Sequence, residues 1–439
     1  MNWKDDKGLP LTAASSAAVA AIDIFTARLS RIDRGAEAIV EAAKIFPATP
    51  MIQLCAAAFC LFGQTREADA AAKAYLDAAE PLLASANERE RILHAALSQW
   101  LRKDHLSAVT LLECVTETYP RDILAIKIAE FIYYILGQQH EGPRFLRHME
   151  RTASANADDP DFLAAHGFAH ELCGHAEEAE RLAEEALARE IRVPWAHHCL
   201  AHVYLRRGEA HTGVRRLEEL LPLWMGAGRV IHCHNAWHLA VAYLERLGLD
   251  EAEALLRSHV WNVTPDLVVE QLDAIALAWR IEMAGRRLDD IWPTLAERVA
   301  PRIDDCYMPF ITVHQSYALA RAGREEDVAR CVARVRARAG AEDPEALRTW
   351  RSAGIAVVEA SAAFGRGQPA ECARLLGPVV ENVTVVGGSD AQIGLLRQTY
   401  LCSLVLSGRK SEAHACWRKE TAGKALTELD RHWLDLAGA

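Results

Sequence analysis

No window of this 439-residue chain approaches eighteen consecutive apolar residues, and its opening, MNWKDDKGLPLTAASS, holds acidic side chains and no apolar leader core. Neither a membrane helix nor a secretory signal is expected, which points to a soluble, cytoplasmic protein without a membrane partner. There is no run of five or six like charges, and 49 Lys and Arg stand against 60 Asp and Glu for a formal charge of -11. Phosphate backbones need a concentrated basic face, so nucleic acid is not an expected partner. None of the 11 cysteines sits in a C-x-x-C pair. They are scattered through helical patterns, as in a reducing cytoplasm where thiols act as small buried apolar groups. In that compartment the triplets Asn262-Val-Thr and Asn382-Val-Thr carry no glycan. A P-loop, a dinucleotide glycine fingerprint, a G-x-S-x-G elbow and zinc-ribbon cysteines are all missing. One β-like stretch, VVENVTVVGG (379–388), reads as an extended connection.

The chain does hold evenly spaced breakers. Glycines ending Ala/Leu-rich runs fall at Gly63, Gly137, Gly174, Gly208, Gly248, Gly285, Gly323, Gly367 and Gly408. Successive gaps are 34 to 44 residues except the first, which is doubled and has Arg102-Lys-Asp104 at the missing turn. Helix, glycine turn, helix at that period is the pattern of tetratricopeptide-like hairpins. Second helices carry apolar residues at helical spacing, as at Ala179, Leu182, Ala186 and Leu187. Prolines at the joints (Pro47, Pro120, Pro160, Pro194, Pro265, Pro301, Pro344) start or stop helices. The expected fold is all-α: one α-α superhelix over 1–439, a TPR-like solenoid of about ten to eleven helical hairpins.

Histidine is where the pattern becomes unusual. The segment HCHNAWHLAVAY (232–243) puts three imidazoles, a thiol and an amide where these helices normally carry Ala and Leu. His198 and His202 are four apart on one first helix, and His234 and His238 four apart on the next. His198 and His238 each lie ten residues before their turn glycine, so equivalent positions should face each other on the inner wall of the hairpins from 161 to 320. His166, His170 and Glu171 precede them; Glu270, Asp273 and Arg280, then His314 and Tyr317, follow. Paired i,i+4 histidines can share one ion, so a divalent metal such as zinc on His198, His202, His234 and His238 is one reading. General acid/base or metal-assisted catalysis through His198, His202, His238 and Asp273 extends it to a hydrolase or lyase acting on a small metabolite. A binding pocket for a peptide or small polar molecule is the leading reading, and a purely structural scaffold with histidines paired in the core is a further one. The HELCGH segment (170–175) is not a zincin motif, its histidines being five apart. Asp273 and Arg280 read as an ion pair, Trp195 and Trp237 as packing residues, and Ser389-x-x-Gln392 as a capping box. Homo-oligomerisation is left open.

Trp195 followed by Ala201-His202, then CHNAWHLAVAYLERLG (233–248), LDAIALAWRIEMAG (272–285), GGSDAQ (387–392) and the opening GLPLTAAS (8–15), together resemble the tetratricopeptide repeat protein 38 family. The similarity covers nearly the whole chain, with C-H-N-x-W-H as its most specific part. It implies an all-helical repeat protein and no particular reaction. Its motifs mark His198, His202, His234, Asn235, His238, Asp273, Arg280, His314 and Gln392 as ligand-binding candidates. The chain departs from the pattern at Phe310-Ile-Thr-Val-His314 and at Ala391-Gln-Ile-Gly394, where an Asn, an Arg and two Asp are replaced, and at FAHELCG (168–174). It resembles a divergent member whose ligand has changed.

Overall fold

The segments between the turn glycines are rich in Ala, Leu, Glu and Arg, all good helix formers, and in the computed structural model, which describes residues 3–438, they are helices. The helices follow one another as pairs joined by short turns, eleven pairs among the described residues and then a last helix, Glu428–Ala437. The only strands among them, β1 (Trp3–Lys4) and β2 (Pro10–Leu11), form a short antiparallel pair. The fold is all-α, as the glycine period predicts.

The turns explain the period. Gly208 takes φ of 71°, and a Cβ there would lie 1.9 Å from the Ala425 carbonyl oxygen, so only glycine fits. At the turn without glycine, Lys103 adopts the left-handed conformation itself, with φ of 65°, between helices Glu88–Leu101 and His105–Thr118. The second helices turn one apolar face inward. In Ala176–Arg189 the buried residues are Ala179, Leu182, Ala183, Ala186 and Leu187, while Arg181 bridges Glu178 and Glu185 on the exposed side. The stretch 379–388 differs from expectation: Val380–Val386 is a 3₁₀ helix with Val383, Val385 and Val386 buried. Its alternation of valines is satisfied by a tight helical coil packed on its neighbours, not by extension.

The described residues form two compact units. The first comprises the chain up to Leu136, Glu141–Ala196 and Gly226–Ile231. Its interior holds Trp100 edge-on to Phe62 at 5.5 Å and a buried Arg89 clamped by Asp5 at 3.0 Å and Asp122 at 2.6 Å. The second comprises Gly137–His140, His197–Met225 and the chain from His232 onward. There Trp279 stacks on Tyr317 at 3.7 Å. Among the described residues, no helix is long and apolar enough to cross a membrane.

Candidate functional site: a buried histidine cluster

Five helices carry the predicted residues: α1 (Pro194–Arg207), α2 (Arg229–Glu245), α3 (Val268–Met283), α4 (Pro309–Arg321) and α5 (Asp390–Leu406). Pro194 and Pro309 stand at the first turns of their helices, where a missing N–H costs nothing. Every predicted site residue falls within the second unit.

The i,i+4 pairs of α1 and α2 interlock. Ring centres of His198 and His202 are 4.6 Å apart, those of His198 and His238 4.8 Å, and those of His202 and His238 4.6 Å. His234 joins at 5.1 Å from His198 and 4.8 Å from His238. One ring nitrogen from each of His198, His202 and His238 lies within 4.8 Å of the others, and all three residues are buried.

Carboxylates orient two of these rings. Nδ1 of His234 is 3.2 and 3.1 Å from the Asp273 oxygens, so Nδ1 carries the hydrogen and donates to that carboxylate. Nδ1 of His202 is 2.9 Å from Asp390 Oδ1, and Arg206 holds the other oxygen of that carboxylate at 2.8 Å. Burial pushes the Asp390 carboxyl up, but His202 and Arg206 outweigh it and hold the group at about 2. Burial drives His238 well below its ordinary value, with His202, His234 and Arg280 adding to the effect, so this imidazole is neutral. Its Nε2 has no hydrogen-bond partner among the described residues.

The remaining predicted residues divide. Arg280 is buried, and burial lowers its guanidinium to about 10 against the pull of Glu245 and Asp273. It makes no ion pair with Asp273, contrary to expectation. Asp273 is engaged by His234 and by the Cys233 thiol at 3.6 Å, while Arg280 Nη2 donates to the Ala391 carbonyl at 2.7 Å. His314 Nδ1 donates to the Phe310 carbonyl at 2.7 Å, and burial takes the ring down to about 4. Gln392 closes a capping box, its Oε1 accepting from Ser389 N at 3.0 Å and its own N–H donating to Ser389 Oγ. Asn235 is buried on α2. Trp237 stacks on His234 with the planes 6° apart, a packing role, and the Arg280 guanidinium lies over its ring at 5.2 Å. Trp195, in the first unit, packs edge-on to Phe168 under Lys127. There too, His170 Nδ1 lies 3.3 Å from His175 Nδ1: the helix ends at Leu172, and the turn at Gly174 folds His175 back.

Sequence reasoning missed Asp390 and Arg206. Both were hidden by distance in the chain, 184 residues apart, and Asp390 read only as the residue after a cap. The cavity that reaches His238, lined also by Tyr204, Val241, Glu245 and Thr427, has a volume of about 10 Å³, room for one water molecule.

No family model matches the chain. Among solved structures, a crystal structure of the P58(IPK) TPR domain aligns with 80% of this chain and 97% of its own, at 11% identity and a TM-score of 0.23. The class therefore rests on the helices themselves: this is an all-α chain of helical-hairpin repeats with a tetratricopeptide-like period.

Proposed function

We propose that this chain is a helical-repeat binding protein whose specific chemistry is a divalent metal centre on His198, His202 and His238. Repeats of helical hairpins offer broad surfaces to other molecules, but a fold alone does not name a ligand. The observation that carries the reading is the convergence of three buried imidazoles with ring centres 4.6 to 4.8 Å apart. Two imidazoles on one tetrahedral zinc have nitrogens about 3.4 Å apart and ring centres about 5 Å apart. Three imidazole nitrogen ligands with a carboxylate behind one of them suit zinc, cobalt or nickel better than calcium or magnesium, which prefer oxygen. A water-sized cavity beside His238 has no room for a peptide, which favours an ion with a bound water over the peptide reading.

A second reading, metal-assisted hydrolysis or elimination on a small metabolite, draws support from the His234–Asp273 pair. Three protein ligands leave one tetrahedral position for water, whose pKa a zinc ion lowers to about 7. His234, backed by Asp273 and next to His198 and His238, stands where a proton acceptor would be needed.

The test is elemental analysis of protein purified without a metal-affinity tag, followed by chelation and titration with Co(II), read by its visible absorption. One ion per chain and a tetrahedral band are expected. His238→Ala and His202→Ala should each weaken binding by at least about tenfold while far-UV circular dichroism stays unchanged. Protein that carries no metal, and whose melting midpoint ignores added zinc and cobalt, would return the cluster to a structural role. The resemblance to the tetratricopeptide repeat protein 38 family is part of this proposal, because His238 falls in that family's most specific motif and His198 and His202 on positions its other motifs mark.

A further inference from the structure

On a continuous helix, residues five apart point in different directions, which is why HELCGH (170–175) is no zincin motif. In the first unit a turn removes that obstacle. Helix Pro160–Leu172 ends just after His170, Gly174 takes φ of 82°, and His175 is the cap from which helix Ala176–Arg189 starts. The two imidazoles, one half-buried and one exposed, are brought together Nδ1 to Nδ1 at 3.3 Å, with ring centres 5.5 Å apart. One shared hydrogen can occupy that gap, and so can a cation: two nitrogens bonded to one tetrahedral zinc ion lie about 3.4 Å apart.

The surroundings favour a cation. Burial lowers His170 below its ordinary value and takes its neighbour His166, 4.8 Å away between ring centres, down to about 4. Both rings are therefore neutral at pH 7 and add no positive charge that would repel an ion. Glu178, in the first turn of the following helix, acts electrostatically on both of them. Its carboxylate is gripped by Arg181 at 2.9 and 2.6 Å, but this contact is at the surface, where ion pairs are weak. Arg181 also holds Glu185 at 2.9 Å, so the Glu178 carboxylate can swing to an ion without stranding the guanidinium.

We propose that His170, His175 and Glu178 form an exchangeable zinc site on the surface of the first unit, with water as the fourth ligand. Two imidazoles, a carboxylate and an open position are a ligand set that zinc accepts, whereas calcium and magnesium require more oxygen. The bound ion ties the end of one helix to the start of the next across a turn that otherwise depends on glycine. The inference does not rest on the buried cluster, which belongs to the second unit and shares no residue with this site. Having one imidazole fewer and lying open to water, the surface site binds more weakly and fills second.

The experiment titrates zinc chloride into the full chain by calorimetry, comparing wild type with His170→Ala, His175→Ala, Glu178→Gln, Arg181→Ala and His238→Ala. Wild type should bind one exchangeable ion besides any held by the buried cluster, and His238→Ala should keep it. Removing either surface imidazole should weaken that ion at least about tenfold, and Glu178→Gln about tenfold. Arg181→Ala frees the carboxylate and should tighten binding, a gain that an adventitious histidine pair would not show. Should His170→Ala disturb the fold, the exposed His175→Ala and Glu178→Gln decide. A wild type without this event, or an event that survives His175→Ala and Glu178→Gln, overturns the proposal and leaves the two rings joined by a hydrogen bond alone. Failure of the buried-cluster reading looks different: wild type and His238→Ala would then give the same single event.

Discussion

Asp390 shows how much one residue outside the obvious motif can matter. It orients His202 from a helix that starts 188 positions later, and carboxylates behind metal-bound imidazoles commonly tune affinity 10- to 100-fold. Asp390→Asn is therefore expected to lower Co(II) affinity within about that range, with one ion per chain regained at higher cobalt. Arg89 gives a contrasting case in the first unit. Its guanidinium is 3% exposed and holds both Asp5 and Asp122, so Arg89→Ala strands two carboxylates. A loss of about 3–5 kcal/mol is expected, read from the urea midpoint. The exposed Lys44–Glu41 pair at 2.9 Å has the same kind of contact but should contribute little, because water screens it.

At the scale of elements, the glycine turns divide into those that need only a left-handed backbone and those that also need space. Gly323 and Gly208 have the same φ, 71°, in the same unit. A Cβ at Gly323 meets nothing within 4 Å, whereas one at Gly208 collides with the backbone oxygen of Ala425. Gly323→Ala should cost about 1–2 kcal/mol for the conformation alone. Gly208→Ala should cost clearly more, since the Ala425 backbone must move, and the two melting midpoints measured side by side check this. The N-cap of α5 is a third case. Ser389→Ala removes one half of a capping box and should destabilise by about 1 kcal/mol, while Ser389→Asp should be close to neutral.

For the molecule as a whole, the acidic side of the stability profile is set by buried imidazoles. Burial takes His148 and His314 from an ordinary 6.5 to about 4. Between those values the unfolded chain binds protons that the folded chain refuses, so stability falls as pH drops from about 6.5 towards 4 and levels off below. Each such group is worth roughly 3 kcal/mol across that window. The opposite linkage at Asp390, held at about 2, is lost only below its ordinary 3.8 and cannot compensate near pH 5. The melting midpoint should be flat from pH 7 to 8 and drop steeply below about 6. A midpoint that stays level down to pH 5 would contradict the burial of these rings.

The all-α class, the hairpin period and the alignment of His198 with His238 could all be read from the chain. They depend on local properties: helix propensity, the 3.6-residue repeat and the backbone freedom of glycine, each a matter of a few neighbouring residues. Even the turn lacking glycine was visible, because the period required one at Lys103. Burial and long-range partners were not legible in this way. Asp273 and Arg280 share a helix face, which suggested an ion pair; packing gave the carboxylate to His234 and left the guanidinium with a single carbonyl. The second carboxylate, Asp390, came from a helix whose approach no periodicity encodes. Sequence determined which imidazoles could meet, since equivalent repeat positions stack. Tertiary structure alone decided what surrounds them, because desolvation and charge pairing depend on which distant segments close over a site.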